Sequence, residues 1–124
     1  MKNLSVKHYR DKVIIATKFG VKHNNTELIT DSRPETIIKS VDGSLKRLGT
    51  DYIDLYYQHR LDPDVPVEEV AGTISDLIKA GKIRAWGISE VDEEHIRRAD
   101  KICPLTAIQN RYSMMYRYYE PLMP

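Results

Sequence analysis

The chain has 124 residues, 41% of them hydrophobic and 30% charged, which is ordinary for one globular domain with a buried core. The 19 lysines and arginines nearly balance the 18 aspartates and glutamates, and this net charge of +1 argues against a nucleic-acid partner. The single cysteine excludes an intrachain disulfide, and no apolar run is long enough for a membrane span or a signal peptide. We therefore expect one cytoplasmic domain over residues 1–124.

The first predicted strand covers residues 13–17, a continuous apolar run that is rich in β-branched side chains. Such a run is typical of a strand that is buried on both faces in a parallel sheet. The next segment is polar and holds Gly20 and the pair Asn24-Asn25 as turn formers. We expect it to be a loop.

The first predicted helix begins at Ser32, which we place at the N-cap, with Pro34 in the first turn. Glu35 stands where it would complete a capping box with Ser32. Apolar residues recur at helical spacing from residue 37 to residue 48, and Gly49 is well placed to end the helix.

Five further elements follow, and their boundaries come from the same two periodicities. They are a strand over residues 52–57 that ends at Gln58-His59-Arg60, a helix over 67–78, a strand over 83–88, a helix from Asp92 to about Asp100, and a strand over 105–109. The tyrosine-rich tail from residue 112 to residue 124 gives no clear pattern.

The alternating order of strands and helices predicts a parallel sheet with helical crossovers. Two architectures fit this order, an open doubly wound sheet and a segment of a (βα)₈ barrel. No Gly-x-Gly-x-x-Gly follows any predicted strand, so the fingerprint of a dinucleotide-binding Rossmann domain is missing. A complete barrel needs about 250 residues, so this chain supplies about half of one.

Polar residues stand at the end of every predicted strand, where the functional groups of parallel α/β folds collect. These residues are Lys18, Gln58-His59, Ser89-Glu90 and Gln109-Asn110. Each also has an ordinary structural explanation. A polar residue can simply be the first solvent-exposed position after a buried strand, or its side chain can form hydrogen bonds to nearby backbone groups. Their coincidence at four equivalent positions favours a functional rim. The histidines at positions 8, 23 and 95 show no metal-ligand spacing, and no metal is expected.

Four segments in order resemble the aldo-keto reductase family. Residues 16–20 are similar to its catalytic-lysine segment, and residues 44–60 to its most recognisable stretch, which ends on the active-site histidine. Residues 81–90 and 108–110 follow at the family's spacing, so the resemblance extends from residue 13 to about residue 119. It implies a partial (βα)₈ barrel holding the equivalents of strands three to six.

The resemblance implies NAD(P)H-dependent reduction of small aldehydes and ketones to alcohols, without a metal or a membrane partner. Lys18 would depress the pKa of a catalytic tyrosine, and His59 would orient the substrate carbonyl. Ser89 and Gln109 match positions that bind the nicotinamide carboxamide of NADPH or NADH. Glu90 stands where many family members have asparagine and is a further cofactor-binding candidate.

The sequence departs from the family pattern at both ends. The family's catalytic aspartate and tyrosine precede the lysine strand, and Tyr9 and Asp11 match them neither in order nor in setting. The family's later cofactor-gripping loops have no counterpart either. We therefore expect a chain that is inactive alone. The alternative is a non-enzymatic truncated or split-gene fragment that self-associates or pairs with a complementary half barrel. A third hypothesis is an open-sheet binding module unrelated to reductases.

Overall fold

A computed structural model describes residues 6–124 of the chain as an α/β fold with one main sheet. Its strands are β1 (Ala16–Phe19), β2 (Val21–Asn24), β3 (Glu27–Thr30), β4 (Ile53–Gln58), β5 (Ile83–Ser89) and β6 (Ala107–Gln109). The main sheet has the order β1-β4-β5-β6, and all of its pairings are parallel. Strands β2 and β3 form a separate antiparallel hairpin. The predicted parallel sheet is therefore confirmed.

Helices connect each pair of neighbouring parallel strands. The helices of the described part are α1 (Val6–Tyr9), which precedes β1, and α2 (Pro34–Leu48), α3 (Val67–Lys79) and α4 (Glu93–Ile102), with 3-10 turns at Arg10–Lys12 and Glu120–Leu122. The helices α2, α3 and α4 serve as the crossovers, and α3 contacts both of the others. No helix in the described part is long and apolar enough to cross a membrane.

The hydrophobic core lies between the sheet and these three helices. The Tyr56 side chain of β4 is completely buried and donates a hydrogen bond from its hydroxyl to Ser40 Oγ on α2, 3.1 Å away. The Phe19 ring stacks on Tyr56 with 4.7 Å between centroids. Trp86 of β5 is equally buried, and its indole Nε1 donates to the Cys103 carbonyl just after α4. The two central strands, β4 and β5, thus each contact the helix layer through a large side chain with a satisfied polar atom.

The opposite face of the sheet is open in the described part of the chain. Paired residues of a sheet project to the same face, so the register fixes which side chains lie there. They include Ala16, Lys18, Leu55, Tyr57, Ala85, Gly87, Ser89, Ala107 and Gln109, and we call these nine residues the open face. Gly87 and Ser89 are buried, and the other seven are exposed or half-buried.

The prediction of a first strand over residues 13–17, buried on both faces, is wrong. The exposed fractions of Val13 and Ile14 are 46% and 83%, and both residues precede β1. The reason is the position of β1 at the edge of the sheet, where β4 is its one neighbour and the paired register begins at Ala16. An edge strand leaves its flanking apolar residues uncovered.

The predicted capping box at the start of α2 is also wrong. The N-cap is Arg33, which makes no capping hydrogen bond through its side chain. Ser32 is unavailable because its hydroxyl accepts from Gln58 Nε2 and its backbone N–H donates to Asp62 Oδ2. The predicted end of α2 is confirmed, since Gly49 is the C-cap in a left-handed conformation with φ of 64°.

The segment after β1, predicted to be a loop, forms the hairpin β2–β3 instead. Its turn contains Asn25 at a φ of 56°, as the sequence suggested for the Asn24-Asn25 pair. Most side chains of both strands are exposed, so no alternation of buried and exposed residues marked them as strands. The other five predicted elements are confirmed, with boundaries that differ by two residues or fewer.

Candidate active site

The four strands of the main sheet end side by side, and this edge collects the residues that the sequence singled out. Lys18 lies on β1, His59 follows β4, Ser89 ends β5 and Gln109 ends β6. The parallel register aligns these strand ends with one another. The structure therefore brings all four residues to one rim, as the predicted fold requires.

Lys18 and His59 are neighbours across the boundary between β1 and β4. The Lys18 ammonium is exposed on the open face, and its Nζ lies 6.0 Å from the centroid of the Tyr57 ring. The His59 backbone N–H donates to the Phe19 carbonyl at 2.9 Å, which extends the β1–β4 pairing by one residue.

The His59 imidazole has a pKa below its ordinary value of 6.5. Burial is the largest cause, and the positive charges of Lys18, Arg60 and His23 add to it. The ring is therefore largely neutral at pH 7. A neutral imidazole can donate a hydrogen bond from one nitrogen while the other accepts one.

Ser89 and Gln109 form the other half of the rim. The Ser89 side chain is 3% exposed, and its Oγ donates to the Gln109 backbone carbonyl at 3.0 Å. Arg60 Nη1 donates to the same Ser89 Oγ at 3.4 Å, a long contact. The Gln109 side chain is exposed and makes no hydrogen bond to any other residue of the described part. Its amide offers one acceptor and two donors, beside a serine hydroxyl.

Glu90 has a strained backbone and an occupied side chain. Its φ of 53° lies in the left-handed region that glutamate rarely adopts. Its Oε1 accepts from the Arg111 backbone N–H at 2.6 Å, and its own N–H donates to the Gln109 carbonyl. Burial is the main reason that the pKa of Tyr119 rises to about 12, and the Glu90 charge adds to it. Glu90 thus connects the strand ends to the C-terminal segment through Arg111. A cofactor that binds the Glu90 carboxylate would compete with the Arg111 backbone N–H.

The sequence reasoning gave no role to Arg60 or Tyr57, which the structure places at the same rim. Arg60 Nη1 donates to the His59 carbonyl at 2.8 Å and reaches across to Ser89, and no carboxylate of the described residues pairs with it. Its position in the polar triplet after β4 was the signal that could have found it. A Cβ added to Gly87 would lie 2.7 Å from the Tyr57 ring, so the ring lies directly against β5.

The donor set at this rim fits a carboxamide-bearing ligand better than a metal. A planar amide both donates and accepts, and Gln109 with Ser89 presents the complementary groups. Among the described residues no cluster of three or more histidine, cysteine, aspartate or glutamate side chains could hold a metal ion.

Comparison with known proteins gives one family. The sequence model described as "Aldo/keto reductase family" matches residues 1–124. The probable aldo-keto reductase 1 of Glycine max is 42% identical over 112 residues, which are 90% of this chain and 32% of that protein. The aldo-keto reductase yakc [NADP(+)] of Schizosaccharomyces pombe is 44% identical over 106 residues, 84% of this chain and 31% of that protein. The chain therefore spans about a third of the length of these relatives.

Solved structures agree with the sequence comparison. The glycerol dehydrogenase of Gluconobacter oxydans superposes with a TM-score of 0.83 at 33% identity, over 90% of this chain and 36% of that one. An aldo-keto reductase of Bacillus halodurans, in its holo form, gives 0.80 at 33% identity, over 94% and 40%. These neighbours are (βα)₈ barrels, so the predicted fold class, a partial barrel, is confirmed.

Proposed function

The chain belongs to the aldo/keto reductase family, and from that premise we propose that it is part of an NADPH-dependent enzyme that reduces small aldehydes or ketones to alcohols. The observation that carries the proposal is the meeting of Lys18, His59, Ser89 and Gln109 at one edge of the parallel sheet. Fold alone does not fix an activity, whereas four polar side chains aligned at one rim specify a site.

In this proposal Lys18 and His59 act on the substrate side of the rim. The Lys18 ammonium stands exposed on the open face, where its charge lowers the pKa of an acidic hydroxyl brought beside it. His59 is held neutral by burial and by neighbouring cations, so it donates a hydrogen bond to the carbonyl oxygen and orients the carbonyl. Both residues prepare the oxygen to take up a proton as the alcohol forms.

Ser89 and Gln109 hold the carboxamide of NADPH or NADH, and Glu90 is a weaker candidate because Arg111 occupies its carboxylate. When bound, the reduced nicotinamide supplies a hydride. The Gln109 amide fixes which face of the ring is presented, since its donor and acceptor match the carboxamide in one orientation. The free amide of Gln109 beside the Ser89 hydroxyl supports this assignment.

We also propose that residues 1–124 alone do not catalyse the reaction. Tyr57 is the tyrosine whose ring lies below the Lys18 ammonium, 6.0 Å from Nζ to the centroid, and this ring packs against Gly87. A correctly placed general acid contributes about 10²- to 10⁴-fold in rate, so catalysis requires further protein to supply one.

Titration of the purified chain with NADPH tests the cofactor assignment. Energy transfer from Trp86 to the reduced nicotinamide should give saturable quenching at micromolar NADPH. Gln109→Leu should weaken the affinity about tenfold, the value of one hydrogen bond. The control is Thr106→Val. Thr106 is exposed and lies just before β6, at the end of the strand opposite to Gln109. A folded sample that shows no quenching up to millimolar NADPH would refute the assignment.

A second candidate is a fragment that self-associates or pairs with a complementary half barrel. The supporting observation is the open face, where Leu55, Tyr57 and Ala85 are only half-buried, together with the free edges of β1 and β6. Uncovered apolar faces and unpaired strand edges favour association with another chain. Sedimentation over a range of protein concentrations measures it directly.

A further inference from the structure

A buried polar cluster lies directly beneath the rim. It consists of Ser32, Gln58 and Asp62, whose exposed fractions are 0%, 1% and 8%. Gln58 Nε2 donates to Ser32 Oγ at 3.1 Å, and the Ser32 backbone N–H donates to Asp62 Oδ2 at 2.7 Å. Asp62 Oδ1 also accepts from the Asp64 backbone N–H at 3.0 Å. We call these three residues the polar cluster.

The polar cluster joins the segments that carry the proposed catalytic residues. Gln58 ends β4 and immediately precedes His59, while Asp62 lies in the loop that follows. Gly20, two residues after Lys18, packs so closely over the cluster that an added Cβ would lie 2.8 Å from Ser32 Oγ. Its φ of 89° permits this approach. Ser32 thus contacts the end of β4, the loop after it and the residue pair that follows Lys18.

Stability alone does not explain the buried amide of Gln58 or the unpaired carboxylate of Asp62 in the described part. The Asp62 carboxylate is buried without a salt bridge in the described part, and Gln58 Oε1 has no hydrogen-bond partner there. A buried polar atom without a partner costs about 1–3 kcal/mol, whereas an apolar side chain of the same shape would avoid that cost. A buried polar cluster with one unpartnered amide oxygen, placed under a candidate site, points to a role in that site.

We propose that Ser32, Gln58 and Asp62 are positioning residues that fix His59 relative to Lys18, a role that rests on the proposed function. The polar cluster acts through hydrogen-bond geometry. It holds the end of β4 at one distance from the end of β1 and keeps the His59 ring partly withdrawn from solvent.

Gln58→Met is the sharpest variant because it keeps the side chain's length while removing both amide atoms. If the cluster positions His59, its substitution makes the ring more exposed, and the pKa of His59 rises toward 6.5. The charges that face His59 are those of Lys18, Arg60 and His23, and none is altered. The midpoint of urea unfolding should stay within about 10% of its original value, since the orphaned Oε1 is also removed. NMR titration of the imidazole measures the pKa.

Ser32→Ala should raise the pKa of His59 in the same way. The matched control is Ser44→Ala, which removes another buried serine hydroxyl, on α2 and bonded to Arg47. That control should leave the His59 titration unchanged. An unchanged pKa in folded Gln58→Met, or an equal rise in Ser44→Ala, would overturn the proposal.

If neither cluster variant folds, hydrogen exchange of the Gln58 side-chain amide in the unaltered chain tests the proposal in place of the two variants. Protected protons support the cluster, and exchange at the rate of a free amide overturns it. The NMR readout needs no cofactor, so a shifted His59 in a chain that fails to bind NADPH would retain the positioning role and refute the reductase assignment.

Discussion

Gly87 packs more tightly than any other glycine near the rim. A Cβ there would lie 2.5 Å from the Ala107 carbonyl oxygen and 2.7 Å from the Tyr57 ring. Because the first contact is to backbone, the clash cannot be relieved by a side-chain rotation. We predict that Gly87→Ala lowers the free energy of unfolding by about 1–3 kcal/mol, measured by urea denaturation.

The control for that variant is Gly72→Ala. Gly72 lies inside α3, and an added Cβ would meet no atom within 4 Å. Removing the conformational freedom of a helical glycine should raise stability by about 0.5–1 kcal/mol. Equal effects of the two substitutions would contradict the packing assigned to Gly87.

His59 gives the chain a pH dependence with a definite sign. Its folded-state pKa lies below 6.5, so the unfolded chain binds a proton first as the pH falls. The free energy of unfolding should therefore decrease as the pH drops through 6.5 and level off below the folded-state pKa. In Lys18→Met this decrease should be smaller, because one repulsive charge is removed.

Urea unfolding on either side of pH 6.5 measures the effect. Lys39→Met is the control, because Lys39 is exposed on α2 and is not among the charges that lower the His59 pKa. If Lys18→Met and Lys39→Met have the same pH profile, the electrostatic coupling between Lys18 and His59 is absent.

The sequence revealed the rim residues but not the contacts between the residues beneath them. Lys18 and His59 follow strands, so their positions depend only on the element order and on the convergence of parallel strand ends. Ser32 looked like an N-cap because local spacing cannot reveal that Gln58 and Asp62, distant in sequence, bind its hydroxyl and its N–H. Buried polar contacts between remote segments carry no short-range pattern.

At the scale of the element, α4 depends on its N-cap. Asp92 Oδ1 accepts from the His95 backbone N–H at 3.0 Å, and Oδ2 lies 2.7 Å from His95 Nδ1. We predict that Asp92→Ala lowers the free energy of unfolding by about 1 kcal/mol. Asp76→Ala on α3 is the control, since Asp76 is exposed and its one ion pair, with Lys79, spans 4.0 Å. Thermal unfolding that is equally affected by both would contradict the capping role.

Most elements that are predicted well have one face in the core, whereas the unpredicted hairpin strands β2 and β3 do not. Helix α3 buries five of its apolar residues, and this periodicity set its limits before the structure was known. Strand β1 lies at the sheet edge, and β2 and β3 are mostly exposed, so burial imposed no pattern on their sequences. Sequence periodicity reports contact with a core, and β2 and β3 contribute no residue to it.

At the scale of the whole molecule, the open face is the surface through which we propose that the chain associates. Ala85 lies at its centre, paired in register with Leu55. We predict that Ala85→Lys weakens self-association about tenfold, because docking would bury an unpaired charge. Sedimentation equilibrium measures the change. Ala80→Lys, at the exposed C-cap of α3, adds the same charge outside the open face and should have no effect. A chain that is monomeric at every concentration would refute self-association.

The order of the main sheet also bears on synthesis of the chain. Each parallel strand pairs with the strand of that sheet that precedes it in the chain. The length of chain between paired residues decreases from the first pairing to the last, as the pairs Ala16 with Leu55, Ile53 with Ile83 and Gly87 with Ala107 show. Shorter closures cost less chain entropy. A nascent chain leaving the ribosome therefore meets an already emerged partner at every step, and each new strand docks at a lower entropic cost than the last. The sheet is suited to grow in the direction of translation.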